Sequence, residues 1–149
     1  MTGPDDAYRY HRDQVRALVE AGADVIAAYT LNDAAEAQGI VRAAREAGIA
    51  VEISFTVETD GLLASGRTLA ETIAEVEASD PPDGYALNCA HPDHFERALD
   101  ADTAPRIVGI RPNASRLSHA ELDESEILDD GDPVELADRM AQLLSLIHI

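Results

Sequence analysis

Apolar and polar positions along this chain switch between a helical period and short apolar runs. Val15, Leu18 and Val19 recur at helical spacing between Ala7 and Ala21, and Gly22 follows as a stop, so the first element is an amphipathic helix. Asp24-Val25-Ile26-Ala27-Ala28-Tyr29-Thr30 is then a nearly continuous apolar run of strand length. Without polar alternation it predicts a strand covered on both faces, as in a parallel sheet. The same pair recurs. Asp33 to Glu36 has the form of a capping box before the stripe Ala37, Ile40, Val41 and Ala44, Gly48 ends that helix, and Ala50 to Val57 is the second strand. A long loop, Glu58 to Gly66, precedes a second capping box at Thr68 to Glu71 and a helix with Leu69, Ile73 and Val76 inward, stopped by Ser79 to Gly84.

The third strand is Gly84-Tyr85-Ala86-Leu87-Asn88-Cys89, ended by a polar loop and a short helix from Asp93 to Leu99. A fourth strand spans Arg106 to Arg111 and stops at Pro112-Asn113-Ala114-Ser115. Asp132-Pro133-Val134-Glu135 then supplies an N-cap, a proline at the first helical position and a nearby acid for a last helix to about Leu144. Strands of the buried type alternating with helices predict βαβ units around a parallel sheet with right-handed crossovers. The sheet could be open and doubly wound, or an arc of a (β/α)8 barrel, which takes about 250 residues. No Gly-x-Gly-x-x-Gly follows any strand, which leaves a dinucleotide fold without support. Polar or reactive residues instead end each strand: Thr30, Thr56, Asn88 with Cys89, and Asn113 with Ser115. A ring of polar strand ends is what a barrel active site looks like in sequence.

Composition narrows the chemistry. The 149 residues make one domain, and 46% hydrophobic content with only 4% aromatic residues implies a core of Ala, Val, Ile and Leu. A formal net charge of -18 repels phosphate backbones and anionic lipid, so neither nucleic acid nor membrane is an expected partner. All 11 basic residues are arginine, which excludes lysine Schiff-base chemistry and a Walker-type phosphate loop within this sequence. One cysteine gives no internal disulfide, no run approaches the roughly 20 apolar residues of a membrane span, and the polar start is unlike a signal peptide; a cytoplasmic location is the expectation.

Cys89 is the candidate centre. From the residues alone it reads as a metal ligand, a nucleophile or a small buried hydrophobe. Asn88 could contact substrate or tie the loop backbone, and the hydroxyls of Thr30, Ser54 and Thr56, with Asn113 and Ser115, could contact substrate or satisfy neighbouring backbone groups. Cys89-Ala90-His91 with His94 offers a second local metal arrangement, although Cys-x-His-x-x-His is not a usual structural zinc pattern. The acidic stretch Glu121 to Asp132 lacks a calcium-loop register and reads as a solvated face, and Ser118-His119 has no companion acid at triad spacing.

Together Gly3-Pro4, Ala21 to Asp24, Glu36-Ala37, Ile53 to Thr56, Asn88-Cys89 and Asn113 to Ser115 resemble the homocysteine S-methyltransferase family, in order and spacing, from about Gly3 to about Asp138. Val57 to Gly61 and Ser118 to Asp123 resemble one bacterial branch of it. The resemblance implies a (β/α)8 barrel and transfer of a methyl group from a sulfonium or betaine donor to the thiol of homocysteine, forming methionine. It implies a zinc ion (Zn2+) on three thiolates, with Cys89 as the first and two adjacent cysteines of a Gly-Gly-Cys-Cys strand as the others. Thr30, Thr56, Asn88 and Asn113 become candidate substrate contacts, and the implied partners are small molecules.

Three departures shape the expectation. The Gly-Gly-Cys-Cys strand is not in this sequence, Gly3-Pro4 matches the end of the family's third strand, and Tyr29 stands where many members hold the homocysteine amino group with a Glu. Residues 1–149 are therefore expected to form a single incomplete barrel of four to five βα units, inactive by itself and prone to self-association into a homo-oligomer through its open edges. Ser145 to Ile149 departs from the preceding Ala/Asp/Arg-rich style, resembles adaptor read-through and is expected to be a non-native tail of an assembly fragment. The alternative function is a non-catalytic small-molecule-binding module on a degenerate barrel.

Overall fold

Four parallel strands and the helices between them follow one another in the computed structural model, which describes residues 3–147. In chain order the elements are α1 (Pro4–Glu20), β1 (Val25–Leu31), α2 (Ala34–Ala47), β2 (Ala50–Phe55), α3 (Leu69–Glu77), β3 (Gly84–Asn88), α4 (Pro92–Ala98), a 3-10 turn (Ala104–Arg106), β4 (Ile107–Arg111), α5 (His119–Glu124) and α6 (Pro133–Leu146). The sheet order is β1-β2-β3-β4, every pair parallel. Each crossover therefore steps to the next strand in the same direction. A doubly wound sheet would reverse its order at a switch point, so this is an arc of a barrel.

Local chemistry sets the boundaries. Asp33, Thr68, Ser118 and Asp132 each accept a backbone N–H of the following turn, and Thr68 with Glu71 and Ser118 with Glu121 form reciprocal capping boxes. Gly48 ends α2 in the left-handed conformation, φ 70°. α1 begins at Pro4, a residue pre-shaped for a first helical turn, three residues before the periodicity begins. α5 is absent from the sequence expectation, since four of its six residues, Glu121 to Glu124, lie at the start of the acidic stretch read as a solvated face. Most of that stretch is exposed, as expected. Helices α1 and α2 pack so closely that a side chain on Gly39 would lie 2.4 Å from the Ala7 Cβ.

The convex face carries the core. Val51, Ile53 and Phe55 of β2 and Tyr85 and Leu87 of β3 are buried beneath the helices with Ile40, Val41, Leu69, Ile73 and Phe95. The opposite, concave face presents Ala27, Tyr29, Glu52, Ser54, Ala86 and Asn88 by strand alternation. A register shift between β3 and β4, where Tyr85 pairs with Ile107 and Ala86 with Gly109, adds Arg111 to that face opposite Asn88. β1 is not covered on both sides: Ile26 and Leu31 are buried, but Val25 and Tyr29 are 45% and 47% exposed. No layer of described residues lies over the concave face, so its apolar side chains meet solvent. Ile147, within the segment expected to be a tail, is buried against the core; His148 and Ile149 lie outside the described residues.

β1 and β4 are open edges with exposed Val25 and Val108, a template for strand pairing. Sedimentation of this chain is expected to show species heavier than its 15.9 kDa, reduced by the edge charges of Val25→Lys and Val108→Lys. A single species at the monomer mass would contradict the prediction.

Acid should loosen the α4–α6 layer. Burial alone would raise the Asp93 carboxyl, but Arg116 Nε at 3.0 Å and Arg139 Nε at 2.6 Å outweigh it and hold the group below the usual carboxylate range. Burial, reinforced by Arg97, pushes His94 below its ordinary 6.5, and burial likewise lowers His91. For these histidines the unfolded chain binds more protons than the native one just below pH 6.5, so stability falls as pH drops from there. Asp93 adds a second loss below about pH 4, where the unfolded chain protonates first. The urea midpoint is expected to be lower at pH 5.5 than at pH 7.5, with a smaller difference in His94→Gln. Equal midpoints at the two pH values would contradict the assignment.

Candidate functional site

The C-terminal ends of the strands converge on Asn88 and Cys89. Asn88 ends β3 on the concave side and is 2% exposed, and its amide makes three bonds. Oδ1 accepts the Thr30 backbone N–H at 3.0 Å and the Ser54 hydroxyl at 2.6 Å, while Nδ2 donates to Thr30 Oγ1 at 2.7 Å. Thr30 Oγ1 passes the polarity on, donating its own proton to Cys89 Sγ at 3.6 Å. The chain Asn88 to Thr30 to Cys89 thus aims a hydroxyl at the sulfur.

Backbone strain lies in the same place. Among the described residues only Thr30 (φ 63°) and Cys89 (φ 58°) hold positive φ without being glycine. The left-handed region costs on the order of 1–3 kcal/mol for such residues, and for a β-branched threonine it is a genuine outlier. The two strained residues are bonded to each other, and the surroundings over-determine both. Cys89 N–H donates to the Arg111 carbonyl at 3.1 Å, and the Cys89 carbonyl accepts from Asn113 Nδ2 at 3.1 Å. Asn113 N–H in turn donates to the Ala90 carbonyl at 2.9 Å. This geometry turns the chain at the strand end and leaves Sγ partly exposed on the rim.

His119 completes the clamp. As the first residue of α5 it stands with Nε2 2.9 Å from the Cys89 carbonyl and 3.3 Å from Thr56 Oγ1, and with Nδ1 2.9 Å from Glu58 Oε1. Its two ring nitrogens tie together the loop after β2, the loop after β3 and α5. Of the expected site residues, Thr30, Asn88, Cys89 and Asn113 therefore form one bonded group, and Thr56 joins it only through His119. Sequence reasoning places neither His119, read only beside Ser118, nor Glu58, read only as the start of a long loop, at this site. The capping box at Ser118 and Glu121 was the available signal, since it fixes His119 at a helix start. His119 does have a companion acid, Glu58, which lies too far along the sequence for spacing to reveal, while Ser118 Oγ is engaged as a cap with Glu121 and not with the imidazole.

His91 is a correction to the local metal alternative. It is the N-cap of α4, its Nδ1 accepting the Asp93 N–H at 3.1 Å, and both it and His94 are buried. Among the described residues no three His, Cys, Asp or Glu side chains gather to hold a metal ion. A partly exposed sulfur with a single hydroxyl donor fits one ligand position, and the chain's only cysteine supplies only one thiolate.

The model of the family described as homocysteine S-methyltransferase matches residues 2–146. The chain belongs to that family. Homocysteine S-methyltransferase YbgG of Bacillus subtilis is 31% identical over 115 residues, 74% of this chain and 36% of that protein. Selenocysteine Se-methyltransferase of Brassica oleracea is 34% identical over 119 residues, 77% of this chain and 34% of that protein. Homocysteine S-methyltransferase 1 of Arabidopsis thaliana is 27% identical over 112 residues, 72% and 34% of the two chains. The chain spans about a third of the length of these relatives. Among solved structures the apo form of the Escherichia coli homocysteine methyltransferase MmuM superposes with a TM-score of 0.71 at 21% identity, covering 98% of this chain and 50% of that one. A metallated form of the same enzyme matches at 0.69, with 19% identity and coverage of 98% and 45%. The arc of four parallel strands is thus the family's own barrel architecture.

Proposed function

We propose that this chain carries the central βα units of a zinc-dependent thiol methyltransferase whose acceptor is homocysteine. The observation that carries the proposal is Cys89: the family's Asn-Cys pair sits on the rim with its sulfur turned out by a strained, multiply tethered backbone and faced by the Thr30 hydroxyl. Strain concentrated at one reactive side chain, held by bonds from four segments, marks a functional position. When bound, zinc lowers the pKa of a coordinated thiol, so that a soft sulfur nucleophile exists at neutral pH. Cys89 would supply one ligand, and the remaining donors would come from outside the described residues.

The residues of this chain do the positioning. Asn88 and Thr30 fix and polarise the Cys89 sulfur, and Asn113 with His119 hold its carbonyl. In the reaction a bond forms between the homocysteine sulfur and the methyl carbon while the donor's carbon–sulfonium or carbon–ammonium bond breaks. The donor leaves as a neutral thioether or amine, and the thiol proton passes to solvent. A cytoplasmic setting, where a lone thiol stays reduced, suits this chemistry. The test is a methyl-transfer assay on a family-length enzyme carrying this segment, with homocysteine and S-methylmethionine, S-adenosylmethionine or a betaine as donors. Methionine formed from one donor supports the proposal, and none formed from any of them would refute it.

A further inference from the structure

One guanidinium on the concave face has no anionic partner. The chain has eleven basic residues, all arginine, against 29 acids, so its arginines should find carboxylates readily. Nine do: Arg9, Arg12, Arg16, Arg42, Arg45, Arg67, Arg106, Arg116 and Arg139 each form an ion pair. Arg97 donates to the Thr59 carbonyl. Arg111 has neither an ion pair nor a side-chain hydrogen bond among the described residues, and it is exposed.

Its position is specific. Arg111 is the last residue of β4, in register with Asn88, and its carbonyl accepts the Cys89 N–H. Its guanidinium lies 5.1 Å from the centre of the Tyr29 ring, although Tyr29 belongs to β1 at the opposite edge of the sheet. Strands lie about 4.8 Å apart, so the two side chains arch over β2 and β3 to meet. Together with Glu52, Ala86, Leu87, Gly109 and Ile110 they line a cavity of about 140 Å³ on that face, directly below the Asn88 and Cys89 rim. Stacking on an aromatic ring fixes the plane of a guanidinium and leaves its five donors unused, the arrangement suited to two-pronged recognition of a carboxylate.

We propose that Arg111, aimed by Tyr29, is the anchor for a carboxylate on the thiol substrate of this site. The proposal rests on the methyltransferase reading for the identity of that thiol. It makes the carboxylate a specificity requirement: in a chain this acidic, a single uncommitted cation beside the candidate sulfur selects an anionic group locally where the protein as a whole repels one.

Calorimetric titration of the 149-residue chain under reducing conditions tests it with three probes: homocysteine, 4-sulfanylbutanoate (thiol and carboxylate, no amine) and 3-aminopropane-1-thiol (thiol and amine, no carboxylate). Both carboxylate probes are expected to bind the wild type and to weaken about ten- to hundredfold in Arg111→Met, the range of a charge-assisted bond, with Arg111→Lys in between. The amine-only thiol is expected to bind weakly and equally to all three proteins. Failure of the carboxylate probes to bind the wild type, no weakening in Arg111→Met, or equal weakening of all three probes would each overturn the proposal. Carboxylate-selective weakening in an enzyme that transfers no methyl group would sustain the Arg111 anchor and remove the methyltransferase reading.

Discussion

Cys89→Ala in a family-length enzyme carrying this segment is expected to drop methyl transfer well beyond the tenfold to hundredfold that loss of a metal's outer-shell partner costs. The expected loss is chemical, since the sulfur is partly exposed and receives only the Thr30 hydroxyl. The backbone supplies a second arm. At φ 58° a glycine is free of the strain a cysteine bears, so Cys89→Gly should melt no lower than the wild type while losing activity as fully as Cys89→Ala. Melting by circular dichroism, set beside the rate of methionine formation, separates the two effects. A Cys89→Gly protein that is both active and destabilised would show that the strained cysteine serves the fold.

Asn88→Ala carries the largest expected loss of stability. The buried amide satisfies the Thr30 N–H, the Ser54 hydroxyl and the Thr30 hydroxyl at once. Its removal leaves the buried Ser54 hydroxyl and the Thr30 N–H without their acceptor, at a cost of about 1–3 kcal/mol. For a domain near this size that corresponds to roughly 2–4 °C in melting temperature per kcal/mol. Thr30 also loses the bonds that keep its β-branched backbone at φ 63°, so activity should fall along with stability. Ser54→Ala removes one hydroxyl bond from the same amide and is expected to cost about 1 kcal/mol. Equal melting of Asn88→Ala and wild type would mean that the network is decorative.

Much of this architecture is legible in the sequence because it rests on local rules. The apolar runs locate all four strands, and the caps at Asp33, Thr68 and Asp132 locate three helix starts, since each depends on a few neighbouring residues. The polar strand ends mark the rim, and the order of short motifs around Asn88-Cys89 leads to the family. What stays hidden is long-range. His119 reaches Cys89 across thirty positions and Glu58 across sixty-one, and no spacing rule links them. Arg111 meeting Tyr29 depends on sheet curvature and on the register shift beside Gly109. The uncovered concave face is hidden for the same reason. Asp24 to Thr30 reads as a strand buried on both sides, whereas the arc of described residues covers only the convex one.

The central claim is that Cys89 is a metal-holding thiolate on this rim. Zinc content per polypeptide, measured on purified family-length enzyme after removal of loosely bound metal, tests it most directly. The account predicts close to one zinc per chain in the wild type and a large loss in Cys89→Ala at unchanged folding; full zinc content retained in Cys89→Ala would contradict it.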